Sequence, residues 1–203
     1  MMKPQKDGFT LIEMLVVIVV VGILVALAVP AATNLMKSGG LSGAAREVSN
    51  TLGLARQYAI THRTTTCVVF PFSGPGADVA PLYQSYAVYD LGSANYISKW
   101  EHLPLGVVFM NVNGSVGNPP CLDNLGSVNS IHYPYANSGA TPWLACIQFK
   151  PWGTASSSGT FTITEGLMNG VVPQPTSISA GALANVVTVS VDNVVGRIKV
   201  TRP

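Results

Sequence analysis

The sequence predicts an α+β protein. Its N-terminal helix is long, transmembrane in its first half and amphipathic in its second, and packs on an antiparallel β-sheet or small β-sandwich head. Three observations predict this. From Phe9 to Val29 runs a stretch of 21 residues in which only Thr10 and Glu13 are clearly polar. Leu41, Ala45, Val48, Leu52, Ala55 and Ala59 then recur at alternating steps of four and three, the stripe of an amphipathic helix. From Thr64 onward the apolar period becomes two, the period of half-buried strands.

The apolar run comes first in the chain. As a helix it would span about 31 Å, against about 30 Å for the hydrocarbon core of a bilayer. Lys3 and Lys6 precede it. By the positive-inside rule they stay cytoplasmic and the C-terminal bulk faces outward. The competing reading is a secretory signal peptide cleaved at Ala26-Leu27-Ala28. Against it stand the length of the run and the carboxylate of Glu13, which costs about 2.5–3.5 kcal/mol at mid-membrane. Such a carboxylate wants a cationic partner. The run holds no Lys, Arg or His, so the partner would come from another chain.

Past Pro30, Ser38-Gly39-Gly40 and Gly43 are poor helix formers, each glycine costing about 1 kcal/mol relative to alanine. They would make a hinge or a locally melted turn before the amphipathic stripe. Strands are expected at Thr65–Phe72, Gln84–Asp90, Gly106–Val112, Leu144–Lys150, Thr160–Thr164, Val186–Val191 and Arg197–Thr201. Asp192 to Gly196 reads as a hairpin turn between the last two. Ser73–Pro81, Asn113–Pro142 and Gly166–Asn185 are rich in Gly, Pro, Ser and Asn and read as loops. The second of these is long for a structureless connection.

Composition narrows the function. The 203 residues are 48% hydrophobic and 10% charged, with net charge +2. A disordered charged tail and a general electrostatic binder of nucleic acid both need far more charge. Cys67, Cys121 and Cys146 form no CxxC, and His62, His102 and His132 have no HExxH spacing. Asp90, Glu101, Asp123, Glu165 and Asp192 are isolated, without the pairing of glycosidases or the spacing of a calcium loop. No nucleophile elbow, P-loop or dinucleotide fingerprint occurs. The expectation is a non-enzyme with no cofactor and no metal.

Gly8-Phe9-Thr10-Leu11-Ile12-Glu13 resembles the processing motif of type IV pilins and type II secretion pseudopilins. The resemblance implies that a prepilin peptidase/N-methyltransferase cuts between Gly8 and Phe9 and methylates the new terminus. It implies that Glu13 meets the N-terminal amine of a neighbouring subunit, a contact strengthened by low dielectric. Gly22 and Pro30 fall where the family places a glycine and a helix-bending proline. The chain then divides into a leader (1–8), a transmembrane helix (9–29), an amphipathic helix (30–63) and a periplasmic β-rich head (64–203).

The head is similar to the H-type minor pseudopilins and the FimT-like minor pilins. The likeness rests on Ala55-Arg56-Gln57-Tyr58-Ala59-Ile60, Leu103-Pro104-Leu105-Gly106-Val107, Ile147-Gln148-Phe149-Lys150-Pro151-Trp152-Gly153 and Gly196-Arg197-Ile198-Lys199-Val200. It implies a structural subunit that helps initiate or cap a pseudopilus for type II secretion. Its partners would be other major and minor pilins and the inner-membrane assembly platform. Its place would be the bacterial inner membrane, crossed once, with a cytoplasmic N-terminus. The alternatives are a minor type IV pilin serving pilus assembly or DNA uptake, and a secreted soluble β-domain. A periplasmic head permits a disulfide between Cys121 and Cys146, contributing about 3–4 kcal/mol by loop closure, with Cys67 a small buried hydrophobe. Arg197 and Lys199 project from one strand face near Arg202. Because some FimT-like relatives are linked to DNA uptake, these three form a candidate phosphate or DNA patch.

Overall fold

The computed structural model describes residues 11–73, 81–110, 123–124, 131, 133–134, 143–156, 158–170, 172–176, 178–179, 182–183 and 185–202, without the side chains of 25–39, 73, 123–124, 172, 178–179 and 182–183. The chain divides into two compact units, Met1–Gly39 and Gly40–Pro203.

Helix α1 runs Leu11–His62. In the first unit, every described side chain from Leu11 to Leu24 is exposed. Val, Leu and Ile occupy all faces there, so this stretch has no polar side to turn toward water. Among the described residues, no helix is long and apolar enough to cross a membrane. The expected span at 9–29 reaches beyond the described side chains at both ends, and Gly8 and Phe9 lie outside the described residues. Pro30 is within the helix, its side chain outside the described set, and Ser38–Gly43 stays helical instead of melting. Burial of Leu41, Ala44 and Ala45 outweighs the glycine cost there.

In the second unit the strands are β1 (Thr66–Ser73), β2 (Ser85–Asp90), β3 (Asn95–Tyr96), β4 (Glu101–His102), β5 (Val107–Met110), β6 (Asp123–Asn124) and β7 (Trp143–Phe149). After them come β8 (Gly159–Asn169), β9 (Val172–Pro175), β10 (Ile178–Ser179), β11 (Ala182–Leu183), β12 (Val186–Val191) and β13 (Ile198–Thr201). One sheet has the order β3-β2-β1-β7-β6, with β4 also on β2. A second has the order β13-β12-β8-β5, with β9 also on β8, and β10 pairs with β11. The pairing is antiparallel throughout these described strands.

The amphipathic stripe does what its spacing requires. Leu41, Ala45, Val48, Leu52, Ala55 and Ala59 are all buried, in one core with Val68 and Phe70 of β1, Ile147 of β7, Phe161 of β8 and Val189 of β12. Both sheets therefore close on the same helix face. β1 alternates: Val68, Phe70 and Phe72 enter that core, while Cys67 and Val69 join Tyr89, Leu144, Cys146 and Ile131 on the opposite face. The first sheet is thus covered on both sides. Tyr89, Tyr96, Trp100 and Tyr133 form an edge-to-face chain over its second side, at centroid distances of 5.1, 5.5 and 4.8 Å.

The connection after α1 is fixed by polar contacts. Thr66 Oγ1 donates to the Ala55 carbonyl at 2.8 Å, tying the start of β1 to the helix. Asp90, buried at the end of β2, accepts from Thr64 Oγ1 at 2.6 Å, Gly92 N at 2.9 Å and Ser93 Oγ at 2.7 Å. Burial raises the Asp90 pKa, but the hydrogen bonds from Thr64, Ser93 and Gly92 outweigh it and hold the carboxyl below its ordinary value.

The expected loop at Gly166–Asn185 is corrected. β8 continues through Asn169 and turns at Gly170, which has φ +60°, into β9. Gly166 is there for packing: a Cβ would lie 2.6 Å from Val108 Cγ2 and 2.8 Å from the Gln174 carbonyl oxygen. The expected loop at Asn113–Pro142 contains β6, which pairs with β7. Most of its other residues lie outside the described set, as do 74–80 of the loop expected at Ser73–Pro81.

Candidate functional site

Two surfaces stand out among the described residues. The first is the start of α1. Glu13 lies in the first helical turn, among exposed Leu11, Ile12, Met14 and Leu15. Gly22 has nothing within 4 Å of where a Cβ would stand, so its helix face is open.

The second is built around Arg56 in the other unit. Arg56 follows Ala55 of the buried stripe, which puts it at the edge of the packed helix face, half-buried. Its Nε donates to the Gly153 carbonyl and its Nη2 to the Val195 carbonyl, each at 2.9 Å. The first carbonyl belongs to the turn after β7, closed by Gly153 N on the Lys150 oxygen at 2.8 Å. The second belongs to the β12–β13 loop. Asp192 organises that loop: its Oδ1 accepts from Val194 N at 2.8 Å and from Val195 N at 3.0 Å. Gly196 has φ +62°, and a Cβ on it would lie 2.0 Å from the Gly153 carbonyl oxygen, so only glycine fits. One guanidinium thus joins the helix to two turns that are far away in sequence. Three of the four pieces carrying the head resemblance meet here, and Leu103 of the fourth is buried in the shared core.

Beside this knot is a groove of about 820 Å³ lined by Gly53, Arg56, Gln57, Ile60, Val195 and Arg197, among others. A second, of about 570 Å³, is lined by Ser158, Thr160, Ser190, Asp192, Arg197 and Lys199, among others. The expected cationic patch is therefore divided. Arg197 and Lys199 are exposed and share the second groove with the opposing charge of Asp192. Arg202 donates to Ser42 Oγ on α1 instead. Strand alternation puts Arg202 on the other face from Arg197 and Lys199.

Cys146 is buried in β7, opposite Asp123 of β6 in the ladder, and Cys121 lies outside the described residues. Cys67 is fully buried, and burial, with Cys146 and Asp90 nearby, raises its thiol pKa well above the ordinary value. His62 is exposed and stacks on Tyr58 with centroids 3.8 Å apart; His102 lies in β4, and His132 is outside the described residues. Among the described residues, no group of three or more His, Cys, Asp or Glu side chains is placed to hold a metal.

Sequence reasoning missed Arg56 as a tie between turns, and the exposure of Trp152, Val194 and Val195 around it. The usable signal was the apolar pair Val194-Val195 inside the turn expected at Asp192–Gly196.

Residues 3–29 match the family model of the prokaryotic N-terminal methylation motif, and residues 44–192 match that of the type II transport protein GspH. The search of curated proteins found no match. Among solved structures, the chain is similar to the type IV minor pilin FimU of Pseudomonas aeruginosa, at 14% identity and a TM-score of 0.43, over 81% of this chain and 90% of that one. The GspH match runs from the buried stripe of α1 past the end of β12, well over half the chain, and includes Arg56, Gly153 and Asp192. On that ground the chain belongs to the GspH family of type II transport proteins.

Proposed function

We propose that this chain is a minor pseudopilin, a structural subunit that helps initiate or cap a filament rooted in the inner membrane for type II protein secretion. The observation that carries the reading is the start of α1. An apolar helix exposed on every face holds one carboxylate in its first turn, inside the match to the methylation motif. In this mechanism the peptidase cuts after Gly8 and methylates Phe9. The helix from Phe9 then serves first as membrane anchor and later as the packing element of the filament. Glu13 sets axial register by pairing with the terminal amine of a neighbour. Apolar burial between helices holds the subunits once they leave the bilayer. Gly22 and Pro30 shape the helix, and Cys121 pairs with Cys146 in an oxidising periplasm.

Glu13→Ala tests the register role. The variant should still insert and be processed, while its recovery in sheared or cross-linked filaments drops by about tenfold or more. That scale follows from the large cost of leaving one member of a buried charge pair alone. Wild-type incorporation would remove the role assigned to the carboxylate.

A second reading, a minor type IV pilin that takes part in DNA uptake, is favoured by the exposed pair Arg197 and Lys199 on one groove. Two cations would give weak, salt-sensitive retention of DNA. Replacing both with alanine should abolish retention of the purified chain on DNA at low salt. Unchanged retention would reject this reading.

A further inference from the structure

The Arg56 knot presents apolar surface to solvent. Ile60 is 45% exposed, Trp152 70%, Val194 73% and Val195 57%. They come from three elements: α1, the turn after β7 and the β12–β13 loop. The segments that carry them meet because Arg56 holds both turns and because the Gly153 backbone lies against Ile60, where an added Cβ would be 2.7 Å from Cδ1; Ile60 and Val195 line one groove. The patch is also held in shape. Asp192 fixes the backbone of Val194 and Val195, and Gly196 fits only as glycine. A preformed surface loses little entropy on docking, and a tryptophan beside an arginine is typical of energetic centres of interfaces.

Charge identifies the partner. Lys150 Nζ stands 5.9 Å from the centroid of the Trp152 ring, and Arg197 lines the adjoining groove beside Ile60 and Val195. The nearby acid Asp192 keeps its negative charge while its Oδ1 accepts from the loop's own amides, so Lys150 and Arg197 outnumber it two to one. The result is an apolar centre with a cationic rim.

We infer that this knob docks the head of a different filament subunit, whose facing surface is apolar and rimmed by carboxylates. The inference rests on the reading of the chain as a filament subunit and goes further by naming the surface and the chemistry of its partner. A second copy is disfavoured, because a two-fold contact would set Lys150 and Arg197 against the same cations. The fixed arrangement of three separate segments suits a protein surface better than a fluid bilayer.

The test uses the full-length chain in secreting cells, with the photo-crosslinker p-benzoylphenylalanine replacing Trp152, Val194, Val17 or the fully exposed Leu105. Trp152 and Val194 should give adducts with one other chain that bears a methylation motif of its own, and Leu105 should not. Adding Lys150→Glu with Arg197→Glu should lower those adducts by about tenfold and leave the Val17 adducts unchanged. The inference is overturned if Trp152 and Val194 give no adduct, or react only with lipid or with copies of this chain, while Val17 still crosslinks to filament subunits. It is equally overturned if the charge reversals leave the adducts intact. Loss of crosslinking at Val17 as well would remove the filament reading and this inference together.

Discussion

Residues 11–24 and 40–62 belong to the same helix and use their apolar side chains in opposite ways. In the later segment the apolar positions recur every three or four residues, and all six stripe residues are buried against the protein's own sheets. In the earlier one they follow without a period, and every described side chain is exposed. A periodic stripe finds its cover within the chain; a helix apolar all round needs cover from lipid or from other subunits. The two halves of α1 therefore differ in where their apolar surface goes: the later one packs the head, and the described side chains of the earlier one stay exposed.

Mutations should break this contrast in a graded way. Leu52→Ala empties a fully buried site and should lower stability by about 2–5 kcal/mol in urea melts of the purified chain. Arg56→Ala deprives two carbonyls of a charged donor and should cost about 1.5–3 kcal/mol, measured the same way. Gly196→Ala puts a side chain on a residue with φ +62° and should cost about 1–3 kcal/mol from strain, before counting the push against Gly153. Leu15→Ala should change head stability by no more than about 0.5 kcal/mol, since its side chain is exposed. Its effect should show instead in filament recovery. A Leu15→Ala melt as damaging as that of Leu52→Ala would erase the contrast.

Asp90 sharpens the same comparison through pH. Its folded pKa lies below the ordinary value of 3.8, so it favours the folded state above that value. The contribution is lost as pH falls through the folded pKa. Urea melts between pH 6 and about pH 2 should show a loss at the acid end that is smaller in Asp90→Asn. An identical acid loss in both proteins would contradict the role given to its three donors.

The parts of the fold that were legible were those with a sustained period. The α1 stripe needs only the helical repeat, and β12 and β13 alternate over enough residues to be read directly. The strand expected at Thr160–Thr164 is the first half of β8; its continuation to Asn169 and β9 read as loop because Gly166, Asn169 and Gly170 resemble loop chemistry, whereas Gly166 is a close-packing requirement from Val108 and Gln174. β3, β4 and β6 have two residues each, too few for any period. At the candidate site, Arg197 and Lys199 were readable as a pair by strand alternation, but the engagement of Arg202 by Ser42 was not. The role of Arg56 was beyond reach for a plain reason: its two acceptors lie 97 and 139 residues away in sequence. Local pattern specifies the elements, and long-range hydrogen bonding decides which turns become a surface.

The claim that the exposed end of α1 remains in the working protein is tested most directly by mass spectrometry of the chain recovered from membranes. The account predicts a mature N-terminus at Phe9 bearing one methyl group on its amine, followed by Thr10-Leu11-Ile12-Glu13. A mature chain beginning at Val29, with the apolar helix removed, would contradict it.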